Sequence, residues 1–196
     1  MKYLVLLLAL LFPSFTKPKR ILFIGDSLTC YSKGWQHQFA KGLGFEYVNL
    51  SKGGKRTDWM YKTLHNQLSV YSDYEMVVIY GGVNDAFSYV PLSKVTNNIQ
   101  NMVDECIYYD IPVVVISGYS PDKVLKRGPY SEAIMARARS RYAAIQKNMN
   151  TKLVRCDVLP VDTTVDRSDS DDGIHLRASG HRKFAKSMLA NMYIKK

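Results

Sequence analysis

Three residues of this chain carry chemistry suited to acyl transfer: Ser27, Asp172 and His175. Ser27 follows an apolar run that ends in Gly25-Asp26. A serine beside a base can act as a nucleophile. Asp172 lies three residues ahead of His175, a spacing at which its carboxylate can fold onto the imidazole and stabilise the protonated ring. The same residues also suit a turn, a helix cap or a solvated acidic loop. The hydrolytic interpretation therefore requires a fold that brings Ser27 to His175.

Candidate donors to a developing oxyanion follow two further apolar runs. Gly53 and Gly54 allow unusual backbone angles, so one of them can present its N–H close to a ligand. Asn84 can donate a side-chain amide hydrogen from a third strand end. Ser27 is expected to lie ahead of a helix, whose free N–H groups would favour negative charge. A glycine turn and an Asx-turn are the alternatives for these residues.

Other kinds of site do not match the sequence. Neither glycine-rich phosphate motif occurs at a strand–helix junction. A calcium loop with Gly173 as its turn glycine would need acidic ligands at positions that hold Ser168, Ser170 and Ser179. The 3 cysteines form neither a disulfide framework nor a C-x-x-C zinc pair.

The elements that must position these residues alternate along the chain. Five short apolar runs predict buried strands, and the helical patterns between them predict helices on both faces of a parallel sheet. The predicted strands are 21–24, 47–50, 76–80, 112–116 and 153–159, and the predicted helices are 32–43, 58–69, 95–107, 133–149 and 178–193. Reactive groups in such sheets gather beyond the carboxyl ends of the strands, which is where the candidate residues lie.

Four blocks of the chain, in order, resemble the SGNH (GDSL) hydrolases. They are Gly25-Asp26-Ser27-Leu28-Thr29, a glycine of Gly53-Gly54, Gly82-Val83-Asn84-Asp85, and Asp172-Gly173-Ile174-His175. The resemblance implies an α/β fold, a three-layer α/β/α sandwich with a five-stranded parallel, flavodoxin-like sheet. It implies a serine esterase that works through an acyl-enzyme.

The resemblance also implies a role for each residue. Ser27 would be the nucleophile, His175 the base and Asp172 the carboxylate that orients it. The oxyanion would be bound by the N–H of Ser27, the N–H of Gly54 and the side-chain amide of Asn84. Gly53 is the alternative to Gly54. No metal ion and no organic cofactor is required.

The expected substrate is an ester of a small acyl group, acetyl above all, on carbohydrate, because 196 residues leave little room for a large lid. A lysophospholipase or thioesterase that acts on lipid is the alternative enzyme. A catalytically silent binding module on the same fold is the third hypothesis. Aromatic residues after the strands are candidates for lining an acyl or sugar site: Tyr31, Trp35, Phe87, Tyr89, Tyr119 and Tyr130. Asp26 and Asp85 are assigned to loop bracing and His181 to packing.

The N-terminus predicts a secretory signal peptide over residues 1–16, followed by one hydrolase domain over residues 17–196. Lys2 precedes an apolar run of about ten residues, which is too short for a spanning helix of ~20. A secreted or periplasmic location and no stable membrane span are therefore expected. The net charge of +10 permits an anionic substrate. No aromatic–basic strand motif is present, so no nucleic-acid partner is expected.

Overall fold

The computed structural model describes residues 18–119, 130–160, 165–170 and 172–193. The predicted signal peptide, residues 1–16, lies outside the described residues. Within these ranges, no helix combines the length and the apolarity that crossing a membrane requires.

Strands and helices alternate along the chain, as the apolar patterns predict. The strands are β1 Arg20–Gly25, β2 Glu46–Asn49, β3 Met76–Tyr80, β4 Val113–Gly118 and β5 Asp157–Pro160. The helices are α1 Trp35–Leu43, α2 Thr57–Val70, α3 Val83–Phe87, α4 Leu92–Tyr108, α5 Glu132–Lys152 and α6 Ala178–Tyr193. A 3₁₀ turn covers Arg167–Asp169. The short helix α3 has no counterpart among the predicted elements.

The strands form one five-stranded sheet in the order β2-β1-β3-β4-β5, and every pairing is parallel. Helices α1 and α6 pack against each other, while α4 packs against both α2 and α5. Right-handed crossovers place these two groups on opposite faces of the sheet. The predicted three-layer α/β/α sandwich with a flavodoxin-like sheet is therefore confirmed.

The fifth strand is shorter than predicted. The apolar pattern assigned residues 153–159 to a strand, but α5 continues to Lys152 and the strand begins only at Asp157. Arg155 adopts a left-handed backbone angle, φ 60°, within the connection. Residues 153–156 thus form the turn from the helix into the sheet, in which Leu153 and Cys156 pack against the core and Val154 is exposed.

The core explains why the central strands are apolar throughout. Every residue of β3 is buried, and in β1 only the first residue is partly exposed, since helices cover both faces of the sheet. Phe23 on β1 meets Trp35 of α1 edge-on, with ring centroids 5.5 Å apart. Trp35 in turn lies 4.8 Å from Phe184 of α6. Each such burial contributes roughly 2–3 kcal/mol relative to exposure, so this cluster fixes α1 and α6 over β1.

Two carboxyl groups are buried at the carboxyl edge of the sheet. Asp85 accepts hydrogen bonds from both the N–H (3.0 Å) and the hydroxyl (2.7 Å) of Thr57, which ties α3 to the start of α2. Asp26 accepts the N–H of Leu28 at 2.9 Å through one oxygen, and its other oxygen, Oδ2, has no hydrogen-bond partner within the described chain. These contacts brace the loops, as predicted for both residues.

The pH dependence of stability follows from the buried carboxyl of Asp26. Burial raises the pKa of Asp26 from 3.8 to about 7, against the opposing hydrogen bond from Leu28. Between pH 3.8 and about 7, Asp26 in the folded protein holds a proton that it has released in the unfolded chain. The free energy of unfolding therefore falls as the pH rises through this range. Asp26→Asn keeps the acceptor for Leu28 and removes the titration. From pH 4 to pH 8, urea unfolding should show the wild type losing up to about 4 kcal/mol relative to the variant. Parallel stability curves would contradict this assignment.

Candidate active site

Ser27 lies in a tight turn at the carboxyl end of β1. The N–H of Thr29 bonds to the carbonyl of Asp26 at 3.1 Å, and the indole N–H of Trp35 bonds to the carbonyl of Leu28 at 2.9 Å. The helix predicted over residues 32–43 is α1, which begins at Trp35, so Ser27 precedes a helix as expected. The hydrogen bond from Trp35 therefore ties the Ser27 turn to the first residue of α1.

The loop that carries Asp172 and His175 is closed by its own hydrogen bonds. One carboxylate oxygen of Asp172 accepts the N–H groups of Ile174 (2.8 Å) and His175 (2.7 Å). The other oxygen lies 2.6 Å from Nδ1 of His175. Gly173 has φ 76° and donates its N–H to Ser170, which lets the chain reverse within four residues. The loop therefore presents the imidazole with its Nδ1 side already engaged.

Ser27 and His175 meet although 148 residues separate them. The hydroxyl oxygen of Ser27 lies 2.9 Å from Nε2 of His175. Because the carboxylate of Asp172 can only accept at Nδ1, the neutral ring carries its proton there, and Nε2 is left to accept the Ser27 hydroxyl. A hydrogen-bonded chain thus runs from Asp172 through His175 to Ser27.

The environment keeps Asp172 ionised. Partial burial by itself would raise the pKa of this carboxyl. The hydrogen bonds from the His175 ring and from the N–H groups of His175 and Ile174 outweigh it, so the pKa of Asp172 lies below its usual value. The side chains of His175 and Asp172 remain 32% and 37% exposed, so a substrate can approach the imidazole from solvent.

The two glycines after β2 face the Ser27 turn. A Cβ on Gly53 would stand 3.8 Å from Cβ of Ser27, which shows how closely the two loops approach. Gly54 has φ 72°, a conformation that glycine adopts without strain. The N–H of Gly53 is directed at the Cys30 thiol, whose pKa is raised chiefly by burial. The N–H of Gly54 has no acceptor among the described residues.

Asn84 lies in the first turn of α3, which begins after Gly82. One hydrogen of its side-chain amide goes to the carbonyl of Lys55 at 3.0 Å. This bond ties the third block to the glycine loop, and the same amide lies close enough to the Asp26 carboxyl to lower its pKa. Gly82 has φ 108°, so a side chain there would strain the turn that aims Asn84.

Asn49 is a positioning residue that the sequence analysis missed. Its amide donates to the carbonyl of Thr29 at 2.8 Å, and its carbonyl accepts the N–H of Ser51 at 3.0 Å. It therefore joins the Ser27 turn to the glycine loop. The only sequence signal was a polar residue near the end of an apolar strand.

The aromatic candidates separate into two groups. Trp35 and Tyr119 are buried in the core, so neither lines a cleft. Tyr119 instead supports the histidine loop, because its hydroxyl donates to the carbonyl of Ile174 at 2.8 Å. The remaining four stay at the surface or half-buried: Tyr31, Phe87, Tyr89 and Tyr130. His181 is buried, in keeping with its assignment to packing, and its ring lies 5.7 Å from that of Tyr31.

Metal binding finds no support in the described parts of the chain. Across residues 18–119, 130–160, 165–170 and 172–193, no group of three or more His, Cys, Asp or Glu side chains is arranged to hold a metal ion.

Known structures share this fold. A GDSL-like lipase from Bacteroides thetaiotaomicron is 18% identical with a TM-score of 0.71, over 100% of this chain and 98% of its own. The aryl esterase of M. smegmatis is 18% identical with a TM-score of 0.64, over 90% and 99%. The acetyl xylan esterase AlAXEase is 17% identical with a TM-score of 0.64, over 88% and 98%. A search of the curated proteins finds no match.

The family is shown by the sequence itself. The model of the GDSL-like lipase/acylhydrolase family matches residues 23–183, a range that includes all four blocks. The resemblance that these blocks carry is thereby confirmed. The chain belongs to the GDSL-like lipase/acylhydrolase family of ester-cleaving enzymes.

Proposed function

We propose that the protein hydrolyses carboxylic esters through an acyl-Ser27 intermediate. The observation that carries this proposal is the unbroken chain of hydrogen bonds from Asp172 to His175 (2.6 Å) and from His175 to Ser27 (2.9 Å). A serine paired with a base that a carboxylate orients is the arrangement that nucleophilic acyl transfer requires.

The first half of the reaction forms the acyl-enzyme. The Ser27 oxygen attacks the ester carbonyl carbon while its proton passes to Nε2 of His175. The negative charge that develops on the carbonyl oxygen is stabilised by the N–H of Ser27, the N–H of Gly54 and the amide of Asn84. The intermediate then collapses, and the alcohol leaves with the proton from His175.

The second half releases the acid. Water attacks the acyl-Ser27 carbonyl as His175 takes its proton, and the same donors stabilise the second oxyanion. Collapse returns the proton to Ser27 and frees the carboxylic acid. The ionised carboxylate of Asp172 stabilises the imidazolium in both halves. We assign the second backbone donor to Gly54 rather than Gly53, because the N–H of Gly53 is directed at Cys30.

We further propose a short acyl group, acetyl above all, on a carbohydrate. The wall beside the oxyanion donors is polar, since a cavity of about 290 Å³ there is lined by Gly54, Lys55, Arg56 and Trp59. Lys55 lies 5.6 Å from the Trp59 ring centroid, so its charge covers part of that aromatic face. Such a wall offers little apolar surface to a long acyl chain. The acetyl xylan esterase among the structures of similar fold is consistent with this substrate class.

For the N-terminus, we propose that residues 1–16 direct export, which would make the enzyme a secreted or periplasmic protein. The support is the pattern of Lys2 followed by an apolar run and a polar exit. Acetylated polysaccharide outside the cell would suit such a location.

Replacing the nucleophile tests the mechanism. Ser27→Ala should lower kcat for p-nitrophenyl acetate by about 10⁴-fold or more, because no attacking oxygen remains. It should also abolish labelling by a fluorophosphonate probe. Ser69→Ala, at an exposed position near the end of α2, is the matched control and should keep both. A Ser27→Ala protein that still turns over would overturn the proposal, and an unlabelled wild type would favour a silent binding module.

Removing one oxyanion donor should affect the transition state more than the ground state. Asn84→Ala should lower kcat by about 10²–10³-fold with little change in KM. Asn98→Ala is the control, since its amide also makes one scaffold hydrogen bond, to the Thr57 hydroxyl at 3.0 Å. Steady-state kinetics should show a near-normal kcat for Asn98→Ala. Equal losses in the two variants would mean that Asn84 acts only as a brace.

The acyl preference can be measured with p-nitrophenyl esters from C2 to C12. We expect kcat/KM to be highest for acetate and to fall as the chain lengthens, because the polar wall cannot bury added methylenes. Release of acetate from an acetylated glycan should follow. A flat or rising profile would reject the short-acyl assignment and favour lipid or thioester hydrolysis.

A further inference from the structure

An open cavity of about 330 Å³ adjoins the candidate triad on the His175 side. Its lining includes Tyr31, Gly34, Leu176 and His181. The ring of Tyr31 lies 6.3 Å from the ring of His175 and 5.7 Å from that of His181. Tyr31 therefore lies near both imidazole rings, and it is 46% exposed.

The chemistry of the proposed reaction decides which half of the ester lies here. His175 must return its proton to the leaving oxygen, so that oxygen has to lie within hydrogen-bond reach of Nε2. The alcohol half of the ester then extends past His175, whereas the acyl half extends away from it. A cavity bordered by Tyr31 and by Leu176, the residue after His175, lies on the side of the alcohol.

His181 offers this cavity a hydrogen-bond donor. Its Nδ1 lies 3.2 Å from the backbone N–H of Trp35, so Nδ1 must accept. Burial lowers the pKa of His181, which keeps the ring neutral at neutral pH. The single ring proton is then on Nε2. His181 is among the residues that line the cavity, and it is 7% exposed.

The lining residues thus supply an aromatic ring, an aliphatic side chain and an imidazole N–H. A six-membered ring with an apolar face and an oxygen on its edge fits this combination. Lys33 stands at the rim as an exposed positive charge. We propose that the cavity binds the alcohol half of the ester, as a ring stacked on Tyr31 with an edge oxygen that accepts a hydrogen bond from His181. This inference rests on the proposed esterase function and names its leaving group.

Two substrate series separate the alcohol half from the acyl half. The first keeps the acetyl group and changes the alcohol: ethyl acetate, phenyl acetate and an acetylated methyl glucopyranoside. The second keeps p-nitrophenol and changes acetyl to butyryl. Tyr31→Ala should raise KM about five- to tenfold for the two esters of ring alcohols. It should leave unchanged the KM for ethyl acetate and the ratio of kcat/KM between the acetyl and butyryl esters. Tyr108→Ala, 80% exposed at the end of α4, is the control and should change none of these.

His181→Asn distinguishes the two kinds of ring. Asparagine can still accept from Trp35, but it does not place a donor where Nε2 stands. KM should rise about tenfold for the acetylated glucopyranoside, which has edge oxygens, and stay unchanged for phenyl acetate, which has none beyond the ester. A thermal melt within a few degrees of the wild type shows that the variant is folded. Equal effects on both substrates would overturn the hydrogen bond from His181.

Binding without turnover separates this inference from the proposed function. In the Ser27→Ala protein, saturation-transfer NMR should detect methyl glucopyranoside, and adding Tyr31→Ala should remove the signal. A wild type that hydrolyses no ester would overturn the function whatever the NMR shows. If the wild type hydrolyses esters but Tyr31→Ala changes the acetyl-to-butyryl preference and not the preference among alcohols, the proposed alcohol subsite is wrong. Unchanged kinetics in Tyr31→Ala would overturn it as well.

Discussion

The parallel pairing of β1 with β2 and β3 is the constraint on which the site depends. It directs the carboxyl ends of all three strands to one edge of the sheet, so the loops after them must share that edge. Ser27 and Gly54 lie in two of these connections, and Asn84 lies in the first turn of α3, which follows β3. The apolar residues of β1 and β3 are buried because helices cover both faces of the sheet. Burial of the sheet therefore holds the loops in relative position before any polar contact forms.

Side-chain to backbone hydrogen bonds then set the spacing between these loops. Asn49 reaches the Ser27 turn, Asn84 reaches the carbonyl of Lys55, and Asp85 holds Thr57. Each bond runs from a side chain on one loop to the backbone of the next. Side chains of this kind fix a separation more closely than packing alone, because a hydrogen bond tolerates only a few tenths of an ångström. These bonds hold the donors that the proposed mechanism needs in position before a substrate binds.

Two carboxyl groups near Ser27 are placed in opposite electrostatic environments. Burial raises the pKa of Asp26 to about 7, whereas hydrogen bonds from His175 and its neighbours keep that of Asp172 below its usual value in spite of partial burial. The difference lies mainly in burial, since Asp26 is fully buried, whereas Asp172 is partly exposed and accepts hydrogen bonds from the His175 ring and from two backbone N–H groups. Only Asp172 is thus suited to stabilise a charged imidazole. The proposed division of labour, with Asp26 as brace and Asp172 as orienter, has this physical basis.

The sequence by itself determined the α/β class, the approximate strands and the four blocks, because apolar periodicity and the spacing from Asp172 to His175 are local properties of the chain. It began the helix after Ser27 at residue 32 instead of Trp35 and extended the strand at residues 153–159 too far, since both boundaries depend on tertiary contacts such as the one from Trp35 to the Leu28 carbonyl. It assigned His181 to packing alone, and nothing local could show that Trp35 would fix the tautomer of this ring. The 2.9 Å approach of Ser27 to His175 across 148 residues was likewise decided only by the tertiary structure. The reason is that hydrogen bonds between distant residues depend on how the sheet and its helices pack, and no local pattern encodes that distance.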